Sequence, residues 1–250
     1  MQEVCEKNQD VTITPLGEAA VLVSFGDTID PAIHYKVHAF ANYLAKKPFD
    51  GMTEYTEAFS SVAVYYDIVR LQAQKRNFTT AKLPYAYQVV VEFIRDILEQ
   101  VDFSITEKSR LVRIPVCYGG GFGPDLEDVA AYHNISAQEV VNIHTGGKYL
   151  VYMIGFAPGF PYIGGLPESI ATPRRSSPRL AIPAGSVGIA GGQTGIYPIE
   201  TPGGWQLIGK TPLPLFQPEC TESPSLLQAG DAIEFYAISA EEYEAYAKEK

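Results

Sequence analysis

Apolar and polar positions follow two different rhythms along this chain, and the change between them predicts its organisation. Over residues 11–101, short runs of β-forming residues alternate with stretches in which apolar residues recur every three or four positions. VTITPL and AAVLVSF read as strands joined at Gly17-Glu18. Asp30 then offers an N-cap and Pro31 a first-turn proline to a helix whose apolar face is Ile33, Val37, Phe40, Ala41 and Leu44, with His34, His38 and Lys46 on the other side. MTEYTEAF and SVAVYYDIV pair as strands around Ser60-Ser61, and residues 87–101 repeat the helical period through Val90, Phe93, Ile94, Ile97 and Val101. LVRIPVCY closes the set. This order predicts an α+β architecture of ferredoxin-like type, with helices on one face of a largely antiparallel sheet.

Two short helices follow, over residues 125–133 and 136–144, the second opened by a Ser136/Glu139 capping box. From residue 149 to 238 the pattern changes to short strands, YLVYMIGF, SVGIAG, TGIYPIE, WQLIGK and AIEFYAI, separated by Pro/Gly turns at barrel or sandwich spacing. The glycines mark the same change, since 18 of 22 lie between Gly119 and Gly209. A last helix begins after Ser239, with Glu242 completing another capping box.

Composition narrows the function classes. With 250 residues, 46% of them hydrophobic and 19% charged, the chain can bury one large or two small cores, which excludes wholesale disorder. A formal charge of −10 argues against nucleic acid as the main partner and against anionic membranes. The N-terminus has no apolar signal region and no run of about 18 apolar residues occurs, so a soluble, cytoplasmic protein is expected. Cys5, Cys117 and Cys220 form no CxxC pair, so neither a disulfide framework nor a metal site is expected. Without a secretory signal, the glycosylation patterns at Asn77-Phe78-Thr79 and Asn134-Ile135-Ser136 are chance matches.

The candidate chemistry concentrates in residues 152–212. Between Lys148 and Lys210 there are five basic residues and only two acidic ones, in a chain of charge −10. Arg174, Arg175, Ser176 and Arg179 can supply guanidinium and hydroxyl donors to a carboxylate, a phosphate or an acidic partner face; the plainer alternative is a solvated arginine turn. Phe156, Phe160, Tyr162 and Trp205 either plug a small barrel or wall a pocket, with plugging the default. Gln193, Thr194 and Tyr197 are polar groups among glycines that permit close approach of a ligand, or simply a polar turn. The arginines are expected to face a cleft lined by Phe160, Tyr162, Gln193 and Tyr197, as an unpaired cationic cluster that an anion compensates.

A literal Walker A pattern spans Gly204 to Thr211, but its WQLI segment is strand-like and Pro212 and Pro214 block the helix that a P-loop needs. Lys210 remains a candidate anion contact by another geometry. His133 and His144 lie near helix ends, where favouring the dipole outweighs catalysis, and Cys117 reads as a small buried hydrophobe.

The segments IPVCYGG, FGPDLEDVA, YLVYMIGFAPGFPYIGGL, PRRSSPR and IPAGSVGIAGGQTGIYPIETPGGWQLIGKTP, in this order, resemble the B subunit of the ATP-dependent 5-oxoprolinases, the PxpB/KipI family formerly described as the first subunit of allophanate hydrolase. The resemblance runs through almost the whole chain and is strongest over residues 113–212. It implies a ferredoxin-like domain over residues 1–110 and a cyclophilin-like β-barrel over residues 111–250, domains similar to those in the carboxyltransferase part of urea carboxylase. It further implies action beside C and A subunits, with ATP used by the complex and its site not wholly on this chain. The family also includes an inhibitor of a sensor histidine kinase, so a regulatory binding module is the alternative; prolyl isomerisation by the barrel is a weaker one. Gly121 departs from the family pattern, in which an acidic residue often stands there.

Overall fold

A computed structural model describes residues 11–74, 85–104 and 109–248, and the chain divides into two compact units, Met1–Glu107 and Lys108–Lys250. In the first, β1 (Thr12–Pro15), β2 (Ala20–Ser24), β3 (Met52–Glu57) and β4 (Ser61–Tyr66) form an antiparallel sheet in the order β1-β2-β4-β3. Helix α1 (Pro31–Lys46) links β2 to β3, and α2 (Ile68–Gln74) and α3 (Ala86–Gln100) follow β4. Asp30 caps α1 as expected, its carboxylate accepting the Ala32 N–H at 2.6 Å. Strand alternation places Val21, Val23, Val62 and Val64 on one face, where they meet Phe40 and Leu44 of α1 and Val90 and Ile94 of α3. Each such buried side chain contributes about 1.5–3 kcal/mol.

Two expectations are corrected in this region. His34 is fully buried on the apolar face of α1, three residues before Val37, rather than opposite it. Burial, and secondarily the neighbouring His38, pushes its pKa down to about 4. LVRIPVCY is β5 (Leu111–Tyr118) and belongs to the second unit, where its central residues are buried on both faces. Cys5 and the Asn77-Phe78-Thr79 match lie outside the described residues.

The second unit adds α4 (Leu126–His133), α5 (Ala137–Gly146), β6 (Tyr149–Ile154), β7 (Pro161–Gly164), β8 (Arg179–Ile182), β9 (Ser186–Ala190), β10 (Gln193–Ile196), β11 (Thr201–Gly203), β12 (Gln206–Lys210), β13 (Ala232–Ala237) and α6 (Ala240–Lys248). Seven strands close a barrel in the order β10-β7-β6-β13-β5-β12-β9, with β5 and β13 parallel and the other pairings antiparallel. Its interior is Ile114, Val116, Val151, Ile163, Val187, Ile189 and Ile208, packed against Leu126, Val129 and Val140 of the two helices. Strands β8 and β11 form a separate two-stranded ribbon. These two and β7 escaped the sequence pattern because each has only three or four residues and lies in Pro/Gly-rich chain that reads as turn.

Local signals account for the helix ends. Ser136 accepts the Glu139 N–H at 3.2 Å, and Ser239 and Glu242 satisfy each other's backbone amides at 3.2 and 2.7 Å. Asn134 ends α4 in the left-handed conformation at φ 57°, where asparagine is a common helix stop. Gly123 lies so close to β12 that a Cβ would overlap the Ile208 carbonyl. We therefore expect Gly123→Ala to lower the unfolding free energy by about 2 kcal/mol in urea titrations, as overpacking against backbone does; unchanged stability would show that the loop is free to shift.

Candidate functional site

The arginines of the PRRSSPR segment are held from below by a residue the sequence left unmarked. Asp125 stands at the N-terminus of α4, where an aspartate ordinarily caps, yet its carboxylate turns away from the helix and is only 1% exposed. It accepts the Leu207 backbone N–H at 2.7 Å, Nη1 of Arg175 at 2.8 Å, and both Nη atoms of Arg179 at 2.8 and 2.7 Å. The expected unpaired cluster is thus corrected: two of its three arginines share a buried counter-ion, and the forked two-bond geometry belongs to Arg179. A carboxylate buried this deeply needs such partners, because desolvation alone would cost several kcal/mol. One carboxylate against two guanidiniums leaves the group net positive.

Arg174 is exposed and has no ion-pair partner among the described residues. Its loop is strapped down, since the Arg175 N–H donates to the Gly204 carbonyl at 2.7 Å and Nε2 of Gln206 donates to the Pro173 carbonyl at 3.0 Å. Beneath it lies an aromatic cluster centred on Phe160, whose ring is 5.1 Å from Tyr162, 5.3 Å from Tyr197, 5.7 Å from Trp205 and 5.4 Å from Phe156. Phe160, Tyr197 and Trp205 are buried in a cluster of their own with Ile182 and Leu207, apart from the barrel interior, whereas Tyr162 is half-buried and Phe156 is 66% exposed. Burial raises the Tyr197 hydroxyl pKa, while the Trp205 backbone N–H and the charges of Arg174 and Arg179 act in the opposite direction. Arg174, Arg179, Tyr162 and Tyr197 therefore share one electrostatic neighbourhood.

The remaining candidates separate from this group. Thr194 lies in the barrel core, its hydroxyl donating to the Gly188 carbonyl at 3.0 Å and therefore accepting from Nε2–H of His144 at 3.1 Å. Nδ1 of that neutral ring then accepts from the Tyr118 hydroxyl at 2.7 Å. His144 is wholly buried, not a dipole-favouring surface residue, and burial pushes its pKa down to about 3. Its network is structural, and Thr194 has no free hydroxyl hydrogen for a ligand. His133 fastens the end of α4 to Thr172 at 3.1 Å. Gln193 flanks the β9–β10 turn half-buried, and Ser176 is exposed. Lys210 pairs opposite Cys117 and Ser186, three residues along β12 from Leu207 and thus about 10 Å away. The Walker-like span is strand from Gln206 onward, so no phosphate loop forms there. Gly121 is exposed in the turn before Asp125. Among the described residues no cluster of His, Cys, Asp or Glu is placed to hold a metal ion, and no helix is long and apolar enough to cross a membrane.

Residues 11–227 match the family model for the carboxyltransferase domain, subdomain C and D. The chain is 49% identical over 237 residues to a Bacillus subtilis protein named as the B subunit of 5-oxoprolinase, covering 95% of this chain and 97% of that one. The chain belongs to the 5-oxoprolinase B-subunit family. Among solved structures, that of TTHA0988 aligns over 88% of this chain and 40% of its own, at 29% identity and a TM-score of 0.74. The Kluyveromyces lactis urea amidolyase aligns over 94% of this chain and 15% of its own with a TM-score of 0.71; at 20% identity this is a likeness of fold alone. PRRSSPR, FGPDLEDVA and the aromatic segments all fall within the matched residues.

Two outcomes follow, one from the Asp125 site and one from the buried histidines. Asp125→Ala leaves the Leu207 N–H and two partly buried guanidiniums without their acceptor, so a loss of about 2–4 kcal/mol is expected in denaturant titration. Asp125→Asn, which keeps an acceptor but no charge, should lose less. His34 and His144 stay neutral in the folded chain while an ordinary histidine protonates near pH 6.5. The unfolded chain therefore binds more protons below that pH, so stability is level above about pH 7 and falls by up to about 1.4 kcal/mol per pH unit per histidine as pH drops towards 5. His34→Leu should roughly halve that slope in urea titrations at pH 8, 6 and 5.

Proposed function

We propose that the chain is the B subunit of an ATP-dependent 5-oxoprolinase, which opens the lactam of 5-oxoproline to glutamate together with C and A subunits, and that it is inactive on its own. The observation that carries this reading is the 49% identity across nearly the full length of a curated B subunit. The names of the curated relatives favour an enzyme subunit over an inhibitor of a sensor kinase. We further read the first unit as a variant of the ferredoxin-like fold and the barrel as cyclophilin-like, with the domain boundary near residue 110 and a cytoplasmic location.

5-Oxoproline is a small carboxylate with an unreactive amide, and activating the amide oxygen with ATP before water attacks concentrates negative charge near the ring. Cations fit that chemistry. Arg174 is free to meet the substrate carboxylate or the activated oxygen. Arg175 and Arg179, committed to Asp125, hold the loop and supply a background positive potential. Without a phosphate loop of its own in residues 204–211, this chain supplies one side of a shared site and relies on its partners for the nucleotide.

Co-expression of the three subunits with an assay for ATP-dependent glutamate release tests the reading. Omission of this chain should abolish turnover, and full activity without it would overturn the assignment. Within an active complex, Arg174→Ala should lower kcat/KM by about tenfold, equivalent to ~1.4 kcal/mol of transition-state stabilisation. Its melting temperature should stay within about 2 °C of wild type, because Arg174 is exposed and has no ion-pair partner among the described residues.

A further inference from the structure

The hydrogen bonds that place Arg174 trace back to one carboxylate. Arg174 stands between Pro173, whose carbonyl accepts Nε2–H of Gln206 at 3.0 Å, and Arg175, whose N–H donates to the Gly204 carbonyl at 2.7 Å. The segment that makes both contacts, residues 204–206, leads directly into Leu207. There the chain is fastened to Asp125 twice, by the Asp125 N–H to the Leu207 carbonyl at 2.9 Å and by the Leu207 N–H to Oδ2 of Asp125 at 2.7 Å. The third tie is the Arg175 side chain. Its Nη1 donates to Oδ1 of Asp125 at 2.8 Å, and its Nε is buried with no hydrogen-bond acceptor among the described residues, so Asp125 is what fixes this guanidinium.

Oδ1 also accepts from Nη2 of Arg179 at 2.7 Å, so both ends of the loop over residues 175–179 are drawn to a single oxygen. Oδ2 accepts from Nη1 of Arg179 at 2.8 Å together with the Leu207 N–H. Each oxygen therefore serves two donors. A neutral amide of the same shape cannot do so, because it has one oxygen, and whichever way it turns its NH2 group faces two N–H donors.

We propose that Asp125 is a positioning residue for the reaction, touching no substrate itself but holding Arg174 where the negative charge of the substrate lies. This rests on the enzyme-subunit reading above and on the role given there to Arg174. Placement matters to such a group, since a shift of about 1 Å can cost roughly a hundredfold in rate. A carboxylate that served the fold alone would lower stability on removal and leave the kinetic constants of the assembled complex unchanged.

The test is a double-mutant cycle in the co-expressed three-subunit complex, with kcat and KM for 5-oxoproline measured at saturating ATP. Asp125→Asn should lower kcat/KM by at least about threefold, through the same constant, kcat or KM, that Arg174→Ala changes. In the Arg174→Ala background it should change kcat/KM by less than about 1.5-fold, because no side chain is left there to misplace. Arg175→Met cuts the tie of the loop while leaving Asp125 its fork with Arg179, and it should reproduce both results should the asparagine variant fail to assemble. Ile114→Val weakens the barrel interior and should leave both constants unchanged. Losses that multiply in the double variants, smaller losses in the single ones, or an equal loss in Ile114→Val overturn the proposal. If full turnover survives omission of this chain, the subunit reading falls and the proposal with it. If Arg174→Ala itself leaves kcat/KM unchanged, the role of Arg174 falls with the proposal while the subunit reading stands.

Discussion

Four hydrogen bonds converge on the Asp125 carboxylate, from Leu207 on β12, Arg175 in the loop and Arg179 on β8, residues 82, 50 and 54 positions away in sequence. Taking that charge out of water is tolerable only because two guanidiniums and a backbone amide replace its hydration. Each donor is fixed in return. The Asp125 N–H donates to the Leu207 carbonyl at 2.9 Å, so the residue also continues the hydrogen bonding of β12 onto the start of α4. The arginine loop consequently sits in a defined place over the aromatic cluster, and the one exposed cation of the trio, Arg174, is presented on a rigid support.

The glycines around this support act through the space they leave. A Cβ at Gly203 would strike the Tyr197 hydroxyl, and one at Gly195 would come within 2.8 Å of the Trp205 ring. Their absence of side chain lets Phe160, Tyr197 and Trp205 pack edge to face beneath the loop, with interplanar angles of 79–90°. The same packing that buries three of the rings leaves Phe156 outside, since its turn is closed by backbone hydrogen bonds and not by burial of the ring.

Polar residues in the barrel divide by where the chain's hydrogen bonds end. The Tyr118–His144–Thr194–Gly188 chain runs donor to acceptor until it stops on a backbone carbonyl, which leaves a neutral histidine in an apolar core with both ring nitrogens satisfied. The Asp125 group, by contrast, ends at a partly exposed surface with excess positive charge. The first arrangement closes on itself in the core and the second leaves partly exposed guanidinium groups at the surface, although Thr194 and Tyr197 stand only three residues apart in the same glycine-rich stretch.

What the amino-acid order determined by itself was local: strand alternation in Val21–Val23 and Val62–Val64, the caps at Asp30, Ser136 and Ser239, the unsuitability of residues 204–211 as a phosphate loop, and the family motifs from PVCYGG to GKTP. Each depends on residues within a few positions of one another. Tertiary structure decided the rest. The assignment of β5 to the barrel required β13, more than a hundred residues away, as its parallel neighbour. Asp125, which in the sequence only opens a short helix, became the counter-ion of two distant arginines, whereas His34 stands one helical turn before Val37 and its place on the apolar face follows from the local period. Periodicity and capping are properties of short segments, whereas charge pairing and barrel closure depend on which segments meet.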